Sequence, residues 1–510
     1  MRLSSVLVFA VLFLTLPSAS GWLWGDKNKN KNKDKECQGD ACNNKKNAQQ
    51  RNNNSGKTTT DDDSIPLTAE GFGLSKVSVG DESGIPMVHL HDDQVMPLVG
   101  LGVEYLQPFL VPLMTASALQ RDKKTWLFDT AHVTGNEALL ANGIQQGLQR
   151  MNLLPEEHVE LHVITKVWYT HLGYERTKLS VKESYERLQA ALTDSSTVQG
   201  QVQLKVHMLL QWPRCYETID WMNCELDEAN VGEHVQQAGP PPHQDKDNAW
   251  KGSWKALEEI YLAGDASPTP IASIGVANFH LKDLQDMDSQ KDLQVHPHML
   301  QVSIWSLLYD PHLVDYCTQR GIHLQIVDSI DGILADPSRA RNAHHHLLKV
   351  AEDLIEDAAP TLSQDEITPT QVVYTWLVQQ GVSIVPGPER LSELQEYSGV
   401  TLAAMPQMTH AQVETVAHCM EAFLSGEDLE KDINTFVTFH AKSKDAMLYW
   451  QRPDGGENKI AFIARGSSFN ESTYPKHHFR IYDARNKDNF IDYHVQAKFG
   501  EQVSFDAYLE

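Results

Sequence analysis

Polar residues end several short apolar runs in the middle of the chain: Asp129 ends 125–129, Lys166 ends 161–166, Gln211 ends 204–211 and Ser303 ends 299–303. If these runs are neighbouring parallel strands, their ends meet at one rim, where a carboxylate and an ammonium can form a buried ion pair. Such a pair can be structural, because a buried charge is tolerated only with a partner. It can equally be chemical, since a lysine held there lowers the pKa of a nearby hydroxyl, as a carbonyl reductase does to its proton donor. Both uses stay open on these residues alone. The triplet His344-His345-His346 has metal-ligating side chains, but adjacent residues on a helix point in different directions, which makes it a solvated helix start. None of the six cysteines lies beside histidines at zinc-ligand spacing, so no metal site is expected.

A rim of this kind requires a closed sheet. The 510 residues, 41% of them hydrophobic, suffice for one large barrel and a second small domain. Between 76 and 425 the apolar runs 97–103, 125–129, 161–166, 204–211, 271–276, 299–303, 322–327 and 382–385 alternate with amphipathic stretches of helical length. This pattern predicts an α/β fold, a (β/α)8 TIM barrel whose chemistry lies at the C-terminal ends of its strands. Two irregular stretches interrupt it: an insertion over 214–249 containing Pro240-Pro241-Pro242, and a loop over 331–345. After Gly426 the apolar period shortens to two, in runs 436–439, 447–450, 460–463, 478–482 and 503–505, with a turn at Asp454-Gly455-Gly456. A small all-β sandwich over 432–510 follows.

Across residues 80–400 the order of short motifs resembles the aldo-keto reductases. The motifs are Phe128-Asp129-Thr130-Ala131, Val163-Ile164-Thr165-Lys166-Val167-Trp168, Gln211-Trp212-Pro213, Trp254-Lys255-Ala256-Leu257, Ile274-Gly275-Val276-Ala277-Asn278-Phe279 and Thr368-Pro369-Thr370-Gln371. The resemblance implies hydride transfer from NADP(H) to an aldehyde or ketone, with a tyrosine donating the proton, a lysine–aspartate pair tuning it and a histidine orienting the carbonyl. Asp129 and Lys166 match the pair, whereas the tyrosine position holds Thr134 and the histidine position holds Gln211. A threonine hydroxyl is a far weaker acid than a phenol of pKa about 10, and losing a general acid typically removes about 10²–10⁴ in rate. Gln211 keeps an amide able to hydrogen-bond a carbonyl. His132 is the remaining candidate donor, although histidine also occurs there in members that keep the tyrosine.

The same resemblance places Asn278 and Gln301 on the nicotinamide amide, with Ala277 replacing a serine and Val327 the stacking aromatic residue. Where the family grips a 2′-phosphate with Ile-Pro-Lys-Ser, this chain has Val385-Pro386-Gly387-Pro388, and Arg390 is the phosphate ligand left. The expectation is a degenerate, weak or inactive carbonyl reductase repurposed for binding. Its alternative is an active, divergent NADPH-dependent aldehyde or ketone reductase of the secretory pathway.

The C-terminal segment resembles the β-domain of the von Hippel-Lindau tumour suppressor through Leu448-Tyr449-Trp450, Asp454-Gly455, Arg465-Gly466 and Thr473-Tyr474-Pro475-Lys476-His477-His478-Phe479. That resemblance implies a peptide pocket for a proline or hydroxyproline, built from Trp450, Thr473, His477 and Phe479, with Ile460 where the family has a tyrosine. A sandwich core accounts for Trp450 and Phe479 equally well.

The remaining composition sets the compartment. Residues 1–20 read as a signal peptide, a short apolar run followed by Ser18-Ala19-Ser20, and 21–75 as a disordered linker rich in Lys and Asn. Secretion, to the endoplasmic reticulum lumen or outside the cell, is the expectation, with a plastid route through the signal peptide as a variant of it. An oxidising lumen would let Cys37 with Cys42, and Cys215 with Cys224, each close a small loop, and would make Asn53 and Asn470 glycan acceptors. A formal charge of −25 repels phosphate backbones and anionic membranes, so nucleic acid is a poor partner. Membrane insertion is not expected either, because no apolar run reaches spanning length.

Overall fold

The computed structural model describes residues 77–79 and 84–509, apart from 121–123, 155, 194–200, 328–333, 335–339, 358–366, 389, 427–428, 430–434, 453–455, 474–476 and 498–500. The expected signal peptide and linker, Cys37, Cys42 and Asn53, and the Asp454-Gly455 turn lie outside the described residues. A three-stranded antiparallel sheet comes first: β1 (Val77–Val79), β2 (Pro86–His89) and β3 (Val95–Pro97).

The barrel is β4 (Leu101–Gly102), β5 (Leu127–Asp129), β6 (Val159–Val167), β7 (Val202–Leu210), β8 (Ser273–Ala277), β9 (Met299–Ser303), β10 (His323–Val327) and β11 (Ser383–Val385), all parallel and in sequential order. Helices between the strands cover their outer faces, which is why the strands read as continuous apolar runs. The ring closes where the Gly100 N–H donates to Ile384 O (2.9 Å), the Gly102 N–H to Pro386 O (2.7 Å) and the Ile384 N–H to Leu98 O (3.1 Å). The seam has no room for side chains: a Cβ on Gly102 would lie 2.7 Å from Val385 O.

One resemblance motif is a helix start. Thr368 caps the helix Pro369–Gln379, its hydroxyl accepting from the Gln371 N–H (3.2 Å) while Gln371 Oε1 accepts from the Thr368 N–H (3.0 Å). This reciprocal box satisfies two helix-end donors.

The insertion over 214–249 is more ordered than the sequence pattern implied, and most of the 331–345 stretch lies outside the described residues. The insertion holds the helices Cys224–Asn230 and Glu233–Ala238, and Cys215 and Cys224 form the expected disulfide with Cα atoms 5.9 Å apart. Buried Arg176 binds both Glu228 oxygens at 2.9 Å and Gly239 O at 2.8 Å, tying the insertion to the barrel. The histidine triplet lies within the helix Arg341–Asp357 with His345 buried, so it is not a solvated helix start.

The C-terminal domain packs two sheets face to face. One has the order β15-β12-β18 and the other β14-β13-β16-β17, from β12 (Thr435–Ala441), β13 (Ala446–Gln451), β14 (Glu457–Ile463), β15 (Ser468–Thr473), β16 (His478–Asp483), β17 (Asn486–His494) and β18 (Gln502–Ala507). Val437, Phe439, Leu448, Ile463, Phe479 and Ile481 fill the space between them.

Candidate functional site

At the C-terminal rim of the barrel, Asp129 ends β5 and Lys166 lies one residue before the end of β6, both buried. Lys166 Nζ donates to Asp129 Oδ2 (2.8 Å), Glu104 Oε2 (2.7 Å) and Thr130 O (3.0 Å). An ammonium has three N–H donors, and all three are engaged within the protein. The other Asp129 oxygen accepts from Gln301 Nε2 (2.9 Å), which also donates to Gln325 Oε1 (2.8 Å). The other Glu104 oxygen accepts from Gln211 Nε2 (2.7 Å), and Asn278 Nδ2 donates to Gln211 O (3.0 Å). One continuous polar chain thus runs Asn278, Gln211, Glu104, Lys166, Asp129, Gln301, Gln325 around the rim.

Two carboxylates share one ammonium here, which sets the electrostatics. Burial pushes the Asp129 carboxyl up, the Lys166 charge pulls it back and the Glu104 charge raises it again, to about 6. Burial alone would lower Lys166, but the charges of Asp129 and Glu104 outweigh it and hold the ammonium above its usual range.

Thr134 stands apart from this chain. It lies on the exposed turn His132–Thr134 with its hydroxyl 2.7 Å from both Ala131 O and Asn136 Oδ1. His132 is engaged by Glu183 at 2.9 Å. Ser303 caps the helix Ile304–Tyr309. The sequence pattern passed over Glu104, since the first apolar run ends at Val103, one residue short of it.

Aromatic side chains flank the rim. Trp168 follows β6 and Trp212 follows Gln211, and both pack on Trp221 of the insertion, with ring centroids 6.0 and 5.9 Å apart.

The residues expected to hold a nicotinamide nucleotide are engaged elsewhere. Gln301 directs its amide N–H groups into the rim network, and Arg390 is ion-paired with Glu393. The Val385-Pro386-Gly387-Pro388 segment supplies no cation. These residues do not fit a tight grip on a 2′-phosphorylated nucleotide, which depends on charge-assisted bonds.

In the β-domain, Trp450 and His477 have ring centroids 5.3 Å apart, and Thr473 Oγ1 lies 3.0 Å from His477 Nδ1. Burial, with the Arg341 charge adding to it, pushes His477 down to about 4. Phe479 does not join them: it is buried between the sheets against Phe439, centroids 5.2 Å apart.

An eight-stranded parallel barrel with an ionisable network at its C-terminal rim defines a class of α/β proteins. Residues 116–418 match the Aldo/keto reductase family, and the chain belongs to that family, for which NADP(H) is the customary cofactor. An uncharacterised oxidoreductase of Bacillus subtilis, YtbE, is 24% identical over 318 residues, covering 61% of this chain and 85% of the relative. Glyoxal reductase of the same bacterium is 26% identical over 300 residues, covering 59% and 81%. A solved aldo-keto reductase from a deep-sea metagenome library aligns at 17% identity with a TM-score of 0.43, over 68% of this chain and 97% of its own. The family match ends before the β-domain. Among the described residues no helix is long and apolar enough to cross a membrane.

Proposed function

We propose that this chain is a weak or inactive carbonyl reductase whose barrel has been repurposed to bind a small carbonyl-bearing ligand at the aromatic-flanked rim. The observation that carries this reading is the saturation of Lys166 by Asp129, Glu104 and Thr130, with the only hydroxyl at the donor position, Thr134, turned to other partners. A lysine engaged in this way has no N–H left with which to acidify a donor. Reduction of small aldehydes with NADPH is expected to be at least about 10²-fold slower than by a family member with an intact tyrosine. Steady-state rates over an aldehyde panel, with NADPH binding followed by fluorescence, check this, and fast turnover would overturn it.

Glu104 bears on a second reading, an active, divergent NADPH-dependent aldehyde or ketone reductase, because it is part of the clamp on Lys166. It stands at the rim with one oxygen on Lys166 and the other on Gln211. The two readings diverge for Glu104→Gln: an active site that needs the Glu104 charge loses its reduction, whereas removing a lock leaves residual reduction unchanged or raises it. Under the first reading, Thr134→Tyr with Gln211→His gains activity only when Glu104→Ala is added, and Lys166→Met removes the gain.

The β-domain is proposed to capture a proline-containing peptide at Trp450, Thr473 and His477. Pull-down with matched proline and hydroxyproline peptides tests it, and indifference to hydroxylation counts against it. A place in the secretory lumen is supported by the Cys215–Cys224 disulfide. Loss of that bond's mass signature in protein purified from its own cells would oppose it.

A further inference from the structure

At the opposite end of the barrel, the β2–β3 turn meets the residue that precedes β9. His91 and Asp92 come from the turn and His298 from the strand foot, with one ligand atom from each residue all within 4.8 Å of one another. We propose that these three residues bind a divalent cation of the zinc class, two imidazoles and one carboxylate supplying the donors and water completing the shell.

The placement of the three side chains carries the argument. His91 Nε2 lies 3.1 Å from His296 O, and His91 Nδ1 faces Asp92 Oδ2 at 3.4 Å. Buried His298 has Nδ1 3.0 Å from Ile274 O and 3.2 Å from the Ile274 N–H. Its Nε2 lies 3.5 Å from the same Asp92 oxygen and 3.2 Å from Tyr261 Oη. A backbone contact at the far ring nitrogen, as on His298, is the usual outer shell of a metal-binding histidine.

Tyr261 Oη shares the centre, 3.2 Å from His298 Nε2 and 3.3 Å from Asp92 Oδ2. Asp92 Oδ2 has neighbours at 3.3 Å (Tyr261 Oη), 3.4 Å and 3.5 Å, all longer than a good hydrogen bond of about 2.7–3.2 Å. Two ring nitrogens and a carboxylate therefore face each other across contacts no shorter than 3.2 Å, an arrangement that a cation would tighten. The donor set of two imidazoles and a carboxylate suits a borderline divalent ion of the zinc class, at roughly 2.0–2.2 Å per ligand. The rings are stacked with centroids 3.9 Å apart, so the His91 ring, 24% exposed, must turn and give up its contact with His296 O for the two lone pairs to converge. The bound ion would pin the turn to the foot of β9. His298 lies far in the sequence from the adjacent His91 and Asp92, which is why no spacing motif announces the site.

The test uses the full chain, stripped with chelator and titrated with zinc chloride against a fluorescent zinc indicator, alongside His91→Ala and Asp92→Asn. Both substitutions are at solvent-accessible positions, and circular dichroism without zinc establishes that the variants fold; buried His298 is left intact. Wild type is expected to take up one tight zinc equivalent, with affinity at least tenfold weaker in each variant. Zinc is also expected to raise the thermal midpoint of wild type and not that of His91→Ala. No tight equivalent in wild type, or a loss smaller than tenfold in His91→Ala, overturns the proposal.

Discussion

The two ends of the barrel handle buried polar groups in opposite ways. At the rim, every Lys166 proton and all four oxygens of Asp129 and Glu104 have a partner inside the protein. At the foot, the contacts that link Asp92, His91, His298 and Tyr261 are all 3.2 Å or longer. One fold can thus carry fully paired ions at the face where this architecture places chemistry, beside the unpartnered amide atoms Gln211 Oε1 and Gln325 Nε2, and an open set of ligands at the other face. An ionisable cluster at the rim is therefore no measure of activity, because what matters is whether its ammonium keeps a free N–H.

The strongest way to break the comparison is to remove the cation that closes the rim. Lys166→Met leaves Asp129 and Glu104 buried without their shared partner and is expected to cost about 3–5 kcal/mol by denaturant unfolding. His91→Ala at the foot, in chelator-treated protein, removes no charge-assisted bond and is expected to cost less than about 1 kcal/mol. Equal losses at the two ends would erase the distinction.

A smaller effect comes from the proton that the rim retains. Asp129 has a folded-state pKa of about 6 against an ordinary 3.8. Because the folded value is raised, its contribution to stability is fully present below about pH 4 and is lost as pH rises through about 6, by an amount on the order of 3 kcal/mol. The stability difference between wild type and Asp129→Asn, measured from pH 4 to 7, is expected to favour wild type more at the acid end. A flat difference would mean that Lys166 already neutralises Asp129 completely.

Much of the barrel was legible in the sequence because its strands are buried on both faces, so all eight appear as apolar runs bounded by helical patterns. Asp129 and Lys166 were legible because they end such runs, and Cys215 with Cys224 because they bracket a short insert. Other features have no local signature. Glu104 acquires its role only when the ring closes and brings it to Lys166. The β15 segment Ser468–Thr473 and β17 expose most of their residues, so neither shows an apolar run. Phe479 was assigned to a pocket because a sandwich core and a peptide pocket both require aromatic side chains, and only the packing against Phe439 separates them. The His91, Asp92 and His298 centre depends wholly on tertiary approach.

The smallest expected effect sharpens the foot, where turn and ligand lie side by side. Asp92 and Asp93 both have φ of 57°, the left-handed region that hairpin turns of this kind require and that glycine adopts most easily. Asp93 is exposed and is not one of the three ligands. Asp93→Gly therefore relieves backbone strain alone and is expected to stabilise the chelator-treated protein by about 0.5–1 kcal/mol with zinc affinity unchanged. Asp92→Gly relieves the same strain but also deletes the carboxylate, so the zinc-dependent rise in thermal midpoint is expected to vanish while zinc-free stability does not fall. If Asp93→Gly also removes the zinc response, the conformation of the turn rather than the Asp92 carboxylate controls the site. If Asp92→Gly destabilises the zinc-free protein, the carboxylate is already a satisfied partner of His91 and His298, and the foot is as closed as the rim.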